Sequence, residues 1–384
     1  MKSFSTKCTD TFRNFLQILD YLFWFLFDPF KFKKVDTSKI KKVLIIHLGA
    51  IGEILITFPI IHTLKKEIGC EIDYLISPGK EAIVKGSSNV SNILVYNNNF
   101  KKNISMLKKG KYDLAVIVAP CNWKMGLLCL KANIPYRVGG FNGVKRGPSF
   151  FLNRKTFPIK KKHVVEKNLD IIRQIGLENK NPKMEFDVSK KDEKSSLKKL
   201  KSLKVKNYAI VHPGFGFSTK YAYPAKFWPY ERYAKIIDFL IESRNLDVLL
   251  TGNKEEIIFS EKIIRYVKNK DRVRITNGMF NFGELGLILK KTKLLISTST
   301  GVLHLAESFN IPILELAGKG TMYYLKNNKF LYEWAPLVDN FKLLYHVEKC
   351  TGCNMMGCRK KTIECMNAIT VEEVKQAITS LLEK

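Results

Sequence analysis

A run of small polar residues after an apolar stretch is the segment of this chain best suited to bind an anion. Residues 293–305 read Lys-Leu-Leu-Ile-Ser-Thr-Ser-Thr-Gly-Val-Leu-His-Leu, which predicts a buried strand, a turn at Thr298–Gly301 and a helix starting near Val302. The first turn of a helix presents unpaired N–H groups and a partial positive charge, and both stabilise phosphate. His304 lies one turn inside this helix and can help to hold the phosphate. The alternative is an ordinary strand-to-helix turn capped by Ser or Thr.

A second turn of this kind follows the first predicted strand of the chain. It reads His47-Leu-Gly-Ala-Ile-Gly-Glu53 and lacks the G-x-G-x-x-G spacing of a dinucleotide site. Gly49 and Gly52 allow a ligand to approach the backbone closely. Glu53 could act as a general base. The alternative role for Glu53 is that of a helix N-terminal acid stabilised by the helix dipole.

A third segment combines a glycine-rich turn with lysines, which suits a diphosphate. It begins His212-Pro-Gly214 and continues to Lys226-Phe-Trp-Pro229, where a lysine supplies a mobile positive charge. Glu256 follows the next strand and could hold the hydroxyl groups of a ribose. The alternatives are lysines that are merely solvated and a carboxylate in an ordinary helix-capping region.

The net charge of the chain narrows the classes of partner. Lys and Arg total 65 against 35 acidic residues, a net charge of +30, which predicts an anionic partner: nucleic acid, a membrane surface or a phosphorylated substrate. No helix-turn-helix, zinc-finger or RNP motif accompanies this charge, so nucleic-acid binding rests on charge alone. The alternative reading of the excess lysines is a solvated surface.

The N-terminal segment has the composition of a helix that lies on a membrane. Residues 11–34 are rich in Phe, Leu and Trp and end in the basic residues Lys31, Lys33 and Lys34, which favours an anionic leaflet. Its longest apolar run, Tyr21–Phe27, is far shorter than the roughly 20 residues that span a bilayer. With no cleavable signal peptide visible, we expect a cytoplasmic protein. The alternative is a helix packed on the protein itself.

From Lys41 onward, short apolar strands alternate with helical patterns in two successive series, and a charged stretch near residues 186–206 separates the series. This order predicts an α/β fold with two doubly wound, Rossmann-like domains that face each other across a cleft. The predicted divisions are 1–40 for the N-terminal helix and linker, 41–188 and 189–349 for the two Rossmann-like domains, and 350–384 for a cysteine-bearing loop and C-terminal helix.

Four cysteines lie close together near the C-terminus. Two, four and six residues separate Cys350, Cys353, Cys358 and Cys365, so that four thiolates could surround one structural zinc ion. Disulfides are disfavoured because a cytosol is reducing. The alternative is a set of packed free thiols.

Six segments of the chain, taken in order, form a set. They are Gly52-Glu-Ile-Leu-Ile-Thr-Phe-Pro59, Pro135-Tyr-Arg-Val-Gly139, His163-x-x-Glu166-x-x-Leu169, Lys226-x-Trp-Pro-x-Glu231-x-x-Ala234, Thr300-Gly-x-x-His304-Leu-Ala306, and Cys350-x-x-Cys353 with Cys365-Met366. Together they resemble glycosyltransferase family 9, the bacterial lipopolysaccharide heptosyltransferases, over roughly residues 41–380.

The resemblance implies a GT-B enzyme that transfers a sugar, heptose from ADP-heptose, onto a lipopolysaccharide core or related glycolipid with inversion. It implies no cofactor and no metal ion in catalysis, a lipid-linked glycan as acceptor, and a place on the cytoplasmic leaflet of the inner membrane. The domain of residues 41–188 then binds the acceptor and that of residues 189–349 binds the nucleotide sugar. The implied site consists of Glu53 as base, Lys226, Thr300, Gly301 and His304 at the donor diphosphate, Glu256, Ser299 and Gly214 at the nucleoside and sugar, and Gly49 and Gly52 in the acceptor-side loop.

Two positions depart from the family pattern. The family base is an Asp where this chain has Glu53, and the family often has Asp directly before Thr-Gly where this chain has Ser299. The first change keeps a carboxylate, whereas the second removes one that is expected to contact the donor. The alternative function is therefore a degenerate, non-catalytic member that binds nucleotide or lipid, and a nucleic-acid-binding protein is the less favoured third.

Overall fold

The structure, a computed structural model, describes most of the chain beyond its N-terminal segment. The described residues are Leu19, 35–118, 123–140, 151–156, 162–214, 226–318, 323–324, 330–331, 333–346, 353–354, 357–358 and 362–383, with only the backbone given at 323–324, 330–331, 353–354 and 357. The chain divides into two units, Met1–Lys183 and Met184–Lys384. The sequence prediction placed this division after residue 188.

Unit 1 is built on a parallel sheet of six strands in the order β3-β2-β1-β4-β5-β6. The strands are β1 Lys42–His47, β2 Glu71–Ile76, β3 Asn92–Val95, β4 Leu114–Ile117, β5 Tyr136–Gly140 and β6 Arg154–Thr156. The central strands are apolar runs because both faces of the sheet are buried. The direction of winding reverses between β1 and β4, and ligands of such sheets bind at the carboxyl ends of the strands at this point.

The helices of unit 1 mostly connect successive strands. They span Ile51–Leu55, Phe58–Ile68, Glu81–Val84, Phe100–Gly110, Trp123–Lys131 and Val164–Arg173. The sequence predicted one continuous helix over 54–68, and this was wrong. The helix breaks at Ile56–Thr57 because Pro59, in the first turn of the second helix, has no backbone N–H to continue the preceding one.

Unit 2 repeats the same winding in a second parallel sheet, in the order β14-β11-β10-β7-β8-β9. Its strands are β7 Tyr208–His212, β8 Asp247–Leu250, β9 Val273–Ile275, β10 Leu294–Thr298, β11 Ile313–Ala317 and β14 Phe341–Tyr345. The reversal lies between β7 and β10. Two small antiparallel pairs, β12 Tyr323–Tyr324 with β13 Phe330–Leu331 and β15 Cys353–Asn354 with β16 Gly357–Cys358, lie outside this sheet.

The helices of unit 2 include the C-terminal one, which the sequence predicted with its bounds. They span Lys190–Leu203, Tyr230–Arg244, Ile257–Tyr266, Phe282–Lys291, Gly301–Glu307, Glu364–Asn367 and Val371–Leu382, with 3-10 turns at Lys254–Glu256 and Lys270–Arg272. Val374 and Ile378 of the last helix enter the same apolar core as β7, β8 and β10. The C-terminal segment is therefore an integral part of unit 2.

The predicted membrane-associating helix lies outside the described residues apart from Leu19. Among the residues that are described, no helix has the length and apolar character needed to cross a membrane.

Candidate active-site residues of the two units

Glu53 is the third residue of the helix Ile51–Leu55, which follows β1 next to the reversal of the unit 1 sheet. Its Oε2 accepts a hydrogen bond from the N–H of Ala50 at 2.7 Å, so the carboxylate helps to close the start of the helix Ile51–Leu55. The side chain is half-buried. No hydrogen-bond partner of Oε1 occurs in the part of the chain that the structure describes. Glu53 thus has the helix-capping role that was its alternative, and this role uses only one of its two carboxylate oxygens.

The loop that carries Glu53 is tightly packed around Gly49. A β-carbon at Gly49 would overlap both Oε2 of Glu53 and the ring of His47, so only glycine allows this approach. The N–H of Gly49 donates to Nδ1 of the buried His47 at 3.0 Å, and Lys80 donates from its Nζ to the carbonyl of Gly49. Gly52 is the second residue of the helix, and its carbonyl accepts from the N–H of Ile56 at 3.1 Å.

His47 and Lys80 were not among the predicted site residues. His47 is the last residue of an apolar strand, where a polar side chain is a usable signal. Lys80 gave none, because it stands in a chain with 65 basic residues and reaches the Glu53 loop only through tertiary structure.

In unit 2, the turns after β7 and β10 meet at the reversal of the sheet. Thr298 donates from Oγ1 to the carbonyl of Gly214 at 2.9 Å. The structure therefore brings together Gly214 and the 298–301 turn, which the sequence places more than 80 residues apart. Both turns lie where parallel doubly wound sheets bind their ligands.

Glu256 lies directly against the first of these turns. A β-carbon at Gly214 would overlap the Glu256 carboxylate, which is buried and accepts from the N–H of Asn253 at 3.0 Å. Nearby, Nδ1 of His212 lies 3.1 Å from Oγ1 of Thr251. Burial lowers the pKa of His212, and the negative charge of Glu256 opposes that shift. Glu256 thus caps its 3-10 turn, as its alternative predicted, and also faces the Gly214 backbone.

Lys226, Ser299 and Glu315 form a connected group beside the second turn. Nζ of Lys226 donates to the carbonyl of Ser299 at 2.5 Å, and Oγ of Ser299 donates to Oε1 of Glu315. Glu315 is fully buried in the middle of β11. The pKa of Lys226 is lowered by burial, and the negative charge of Glu315 only partly opposes this shift. Glu315 was missed from the sequence, although a lone carboxylate in the apolar run Ile313–Ala317 was a usable signal.

The position of Lys226 depends on the residues that follow it. Trp228 is buried, packs edge-on against Tyr233 at 4.9 Å between ring centroids, and donates from Nε1 to the carbonyl of Ile369 at 3.0 Å. Arg232, one turn later, donates to the same carbonyl at 2.6 Å. The lysine is therefore attached to a segment that is fixed to the C-terminal part of unit 2.

Thr300 and Gly301 begin the helix Gly301–Glu307. Thr300 has extended backbone, and its side chain makes no capping hydrogen bond; instead its Oγ1 lies 3.2 Å from Oγ of Ser297. The alternative was a turn capped by Ser or Thr, and Thr300 does not provide such a cap, because its hydroxyl is directed to the strand. The N–H groups of the first helical turn are not capped by it.

His304 is buried and paired within the same helix. Its Nδ1 lies 3.0 Å from Oε2 of Glu307, and Oε1 of Glu307 accepts from the N–H of Leu337 at 2.9 Å. Nε2 of His304 has no hydrogen-bond partner among the described residues. A carboxylate that fixes one ring nitrogen orients the other toward a ligand.

The predicted zinc site falls largely outside the described side chains. Cys350 is not described, Cys353 is described by its backbone, and the side chains of Cys358 and Cys365 are half-buried and buried. Among described side chains, no group of three or more His, Cys, Asp or Glu residues is arranged to hold a metal ion. The zinc site stays a prediction.

Comparison with known proteins identifies the family. The family model for glycosyltransferase family 9 (heptosyltransferase) matches residues 101–363, more than half of the chain. The chain is also 24% identical over 309 residues to lipopolysaccharide heptosyltransferase 3 of Escherichia coli, covering 75% of this chain and 83% of that protein.

Two solved structures share the fold. A family 9 glycosyltransferase from Veillonella parvula superposes with a TM-score of 0.74 at 19% identity and covers 91% of this chain and 99% of its own. The ADP-heptose lipopolysaccharide heptosyltransferase II of E. coli superposes with a TM-score of 0.71 at 19% identity, over 89% of this chain and 98% of its own. The predicted α/β fold of two Rossmann-like units is confirmed, and the chain belongs to glycosyltransferase family 9.

Proposed function

We propose that this family 9 glycosyltransferase transfers heptose from ADP-heptose onto a lipopolysaccharide core or a related glycolipid, with inversion at the anomeric carbon. The observation that carries the proposal is the convergence in unit 2 of a lysine, an uncapped helix start and a carboxylate-paired histidine at the carboxyl ends of β7 and β10. Its relatives support the donor and acceptor, since one is named for ADP-heptose and two for lipopolysaccharide.

The donor binds along the edge of the unit 2 sheet. Glu256 and the Gly214 backbone take the nucleoside, with the carboxylate accepting from ribose hydroxyls. Lys226, the first N–H groups after Thr300 and Gly301, and His304 take the diphosphate. Glu307 accepts from Nδ1 of His304, and a phosphate oxygen accepts from Nε2, which requires both ring nitrogens to carry hydrogen.

The transfer is a single displacement. The acceptor hydroxyl attacks the anomeric carbon, Glu53 takes its proton, and the bond from that carbon to the diphosphate oxygen breaks on the opposite face. The nucleoside diphosphate leaves with increased negative charge, which the cationic and N–H groups of unit 2 stabilise. The loop of Gly49 and Gly52 brings acceptor and backbone close together in unit 1. The chemistry of this scheme needs neither a cofactor nor a metal ion, so we expect activity in EDTA.

A donor panel tests the proposal. Purified protein is incubated with ADP-heptose, UDP-glucose, UDP-galactose and GDP-mannose and a truncated lipopolysaccharide acceptor, and glycolipid products are separated by mass. We expect heptose addition from ADP-heptose alone. Transfer from another nucleotide sugar would correct the donor, whereas nucleotide binding without any transfer would favour the degenerate, non-catalytic alternative. Salt-sensitive binding to DNA at physiological ionic strength would favour the third alternative, a nucleic-acid-binding protein.

The N-terminal 40 residues supply the proposed contact with the acceptor membrane. Their aromatic and basic residues favour the cytoplasmic leaflet of the inner membrane, where a lipid-linked glycan acceptor is presented. Deletion of residues 1–34 should release the enzyme from vesicles that contain anionic lipid and leave ADP binding intact. Aggregation of the truncated protein would mean that the segment packs on the enzyme instead.

A further inference from the structure

Ser299 and Glu315 form a hydrogen-bonded pair beside the 298–301 turn. The family pattern has an Asp before Thr-Gly, and this chain has a serine there. The serine hydroxyl donates to the buried carboxylate of Glu315, one strand away in β11. The carboxylate of Glu315 is therefore separated, by the hydroxyl group of Ser299, from the position at which the family pattern has the carboxylate of its Asp.

The strand order indicates which part of a donor this pair faces. From β8 through β7 to β10, the carboxyl ends of the strands carry Glu256, then Gly214, then Thr300, and Glu315 lies within the neighbouring β11, opposite Ser297 of β10. With the nucleoside at Glu256 and the diphosphate at Thr300, the sugar beyond the diphosphate falls on the β11 side. Ser299 is half-exposed at that side, whereas Glu315 is fully buried behind it.

The hydrogen bond also fixes what the serine can do. A serine hydroxyl has one hydrogen to donate and two lone pairs that accept. Because the hydrogen is directed to Glu315, Oγ can meet a ligand hydroxyl only as an acceptor, as a carboxylate does. The carbonyl of the same residue holds Nζ of Lys226, so this residue is fixed on two sides.

We propose that Ser299 and Glu315 together replace the missing aspartate: Oγ of Ser299 accepts a hydrogen bond from a hydroxyl of the donor sugar, and Glu315 is the positioning residue that makes Oγ an acceptor. The inference rests on the proposed function, since it needs a nucleotide sugar in unit 2. It assigns to this chain a sugar-recognition pair divided between two strands.

A carboxylate swap tests the pair. The variants are Glu315→Ala, Ser299→Asp and the double variant, assayed by KM for ADP-heptose, kcat, and affinity for ADP alone. We expect Glu315→Ala to raise KM for ADP-heptose about tenfold, the scale of one hydrogen bond involving a charged group, with ADP affinity changed less than about threefold. Ser299→Asp alone places two carboxylates in contact and should raise KM for ADP-heptose at least as much as Glu315→Ala does. The double variant restores a single carboxylate and should recover to within about threefold of wild type.

Two controls separate recognition from folding. Ser299→Ala removes the hydroxyl at a half-exposed position and leaves Glu315 in place, and it should reproduce the rise in KM seen in Glu315→Ala. Glu284 is the matched control, because it is equally a buried carboxylate bound to a serine and a lysine, Ser195 at 2.5 Å and Lys199 at 2.6 Å, in the helix Phe282–Lys291. Glu284→Gln should leave KM for ADP-heptose unchanged.

The outcomes distinguish this inference from the proposed function. A double variant whose loss equals the sum of the two single losses would overturn the inference, and so would an equal loss of ADP affinity in Glu315→Ala. In both cases the wild-type enzyme still transfers heptose, so the proposed function stands. A wild-type protein that binds neither ADP nor ADP-heptose would instead overturn the proposed function and, with it, the inference.

Discussion

The turns after β1 and β10 each lie beside the reversal of their own sheet, and the two sheets share one strand order, yet the two edges hold their carboxylates differently. In unit 1, Glu53 is half-buried and uses one oxygen to accept a single backbone N–H. In unit 2, Glu256, Glu307 and Glu315 are buried, and each accepts from neighbours within the unit. The same architecture therefore presents one accessible carboxylate and, elsewhere, a set of fixed ones.

This difference matches two different demands of group transfer. A general base has to reach the substrate proton and accept it, so part of it must stay accessible. Groups that stabilise a leaving diphosphate work best when they are already oriented and need not reorganise during reaction. We infer that unit 1 supplies the reactive group and unit 2 the fixed surroundings of the leaving group, and the following variants test that division.

The largest effect should come from Glu53. Glu53→Gln keeps the shape and the helix-capping oxygen but removes the basicity, so kcat should fall by roughly 10²–10⁴-fold while affinity for ADP changes little. Steady-state transfer kinetics and calorimetry with ADP measure the two quantities. Near-normal turnover would leave Glu53 with its capping role alone.

Two companion variants sharpen this test. Glu81 is likewise an acid in the first turn of a unit 1 helix that follows a strand, so Glu81→Gln should leave turnover unchanged. Glu53→Asp restores the residue of the family pattern and should retain part of the activity. Equal losses in Glu53→Gln and Glu81→Gln would indicate a general effect of first-turn acids on folding.

The second effect concerns the fixed charge of unit 2. Lys226→Ala should reduce affinity for ADP by roughly 10- to 100-fold, because a hydrogen bond to a charged group contributes about 1.5–3 kcal/mol. Lys235, exposed on the helix Tyr230–Arg244, is the matched control, and Lys235→Ala should change affinity by less than about twofold. Calorimetry decides between them, and similar losses would mean that ADP senses only the overall charge of +30.

A smaller effect is expected at His304. His304→Gln should lower affinity for ADP by roughly 2- to 10-fold, the scale of one net hydrogen bond. His346 forms a similar histidine–carboxylate pair, with Nε2 lying 3.0 Å from Oε1 of Glu373, but is more exposed. His346→Gln should leave ADP affinity unchanged. An equal response of the two variants would contradict a specific role for His304.

These residues also show how far sequence reasoning reaches. Local patterns predicted the α/β class, the two units and the turns after β1 and β10, because strand, turn and helix signals lie within a few residues of each other. Glu315, Glu307 and Lys80 act through contacts with residues 16, 3 and 31 positions away. Of these, Glu315 and Lys80 meet their partners only after strands pair or loops pack, which no local pattern encodes. The strands β5, β6 and β14 were likewise missed, because short strands carry little periodicity.

The last effect is on stability and not on binding or turnover: it is a pH dependence that follows from the close packing of unit 2. Burial lowers the pKa of His212 below its ordinary value of 6.5, and Glu256 only partly opposes this. Above pH 6.5 the ring is neutral in both folded and unfolded chains and contributes nothing. Below pH 6.5, the unfolded chain binds a proton at His212 that the folded chain does not bind. The free energy of unfolding therefore falls as the pH decreases toward the lowered pKa, by up to about 1.4 kcal/mol per pH unit. Chemical denaturation between pH 7.5 and 5 should therefore show a steeper loss of unfolding free energy for wild type than for His212→Gln. Equal slopes would mean that the edge of unit 2 admits a charged ring and is less rigidly fixed than its hydrogen bonds indicate.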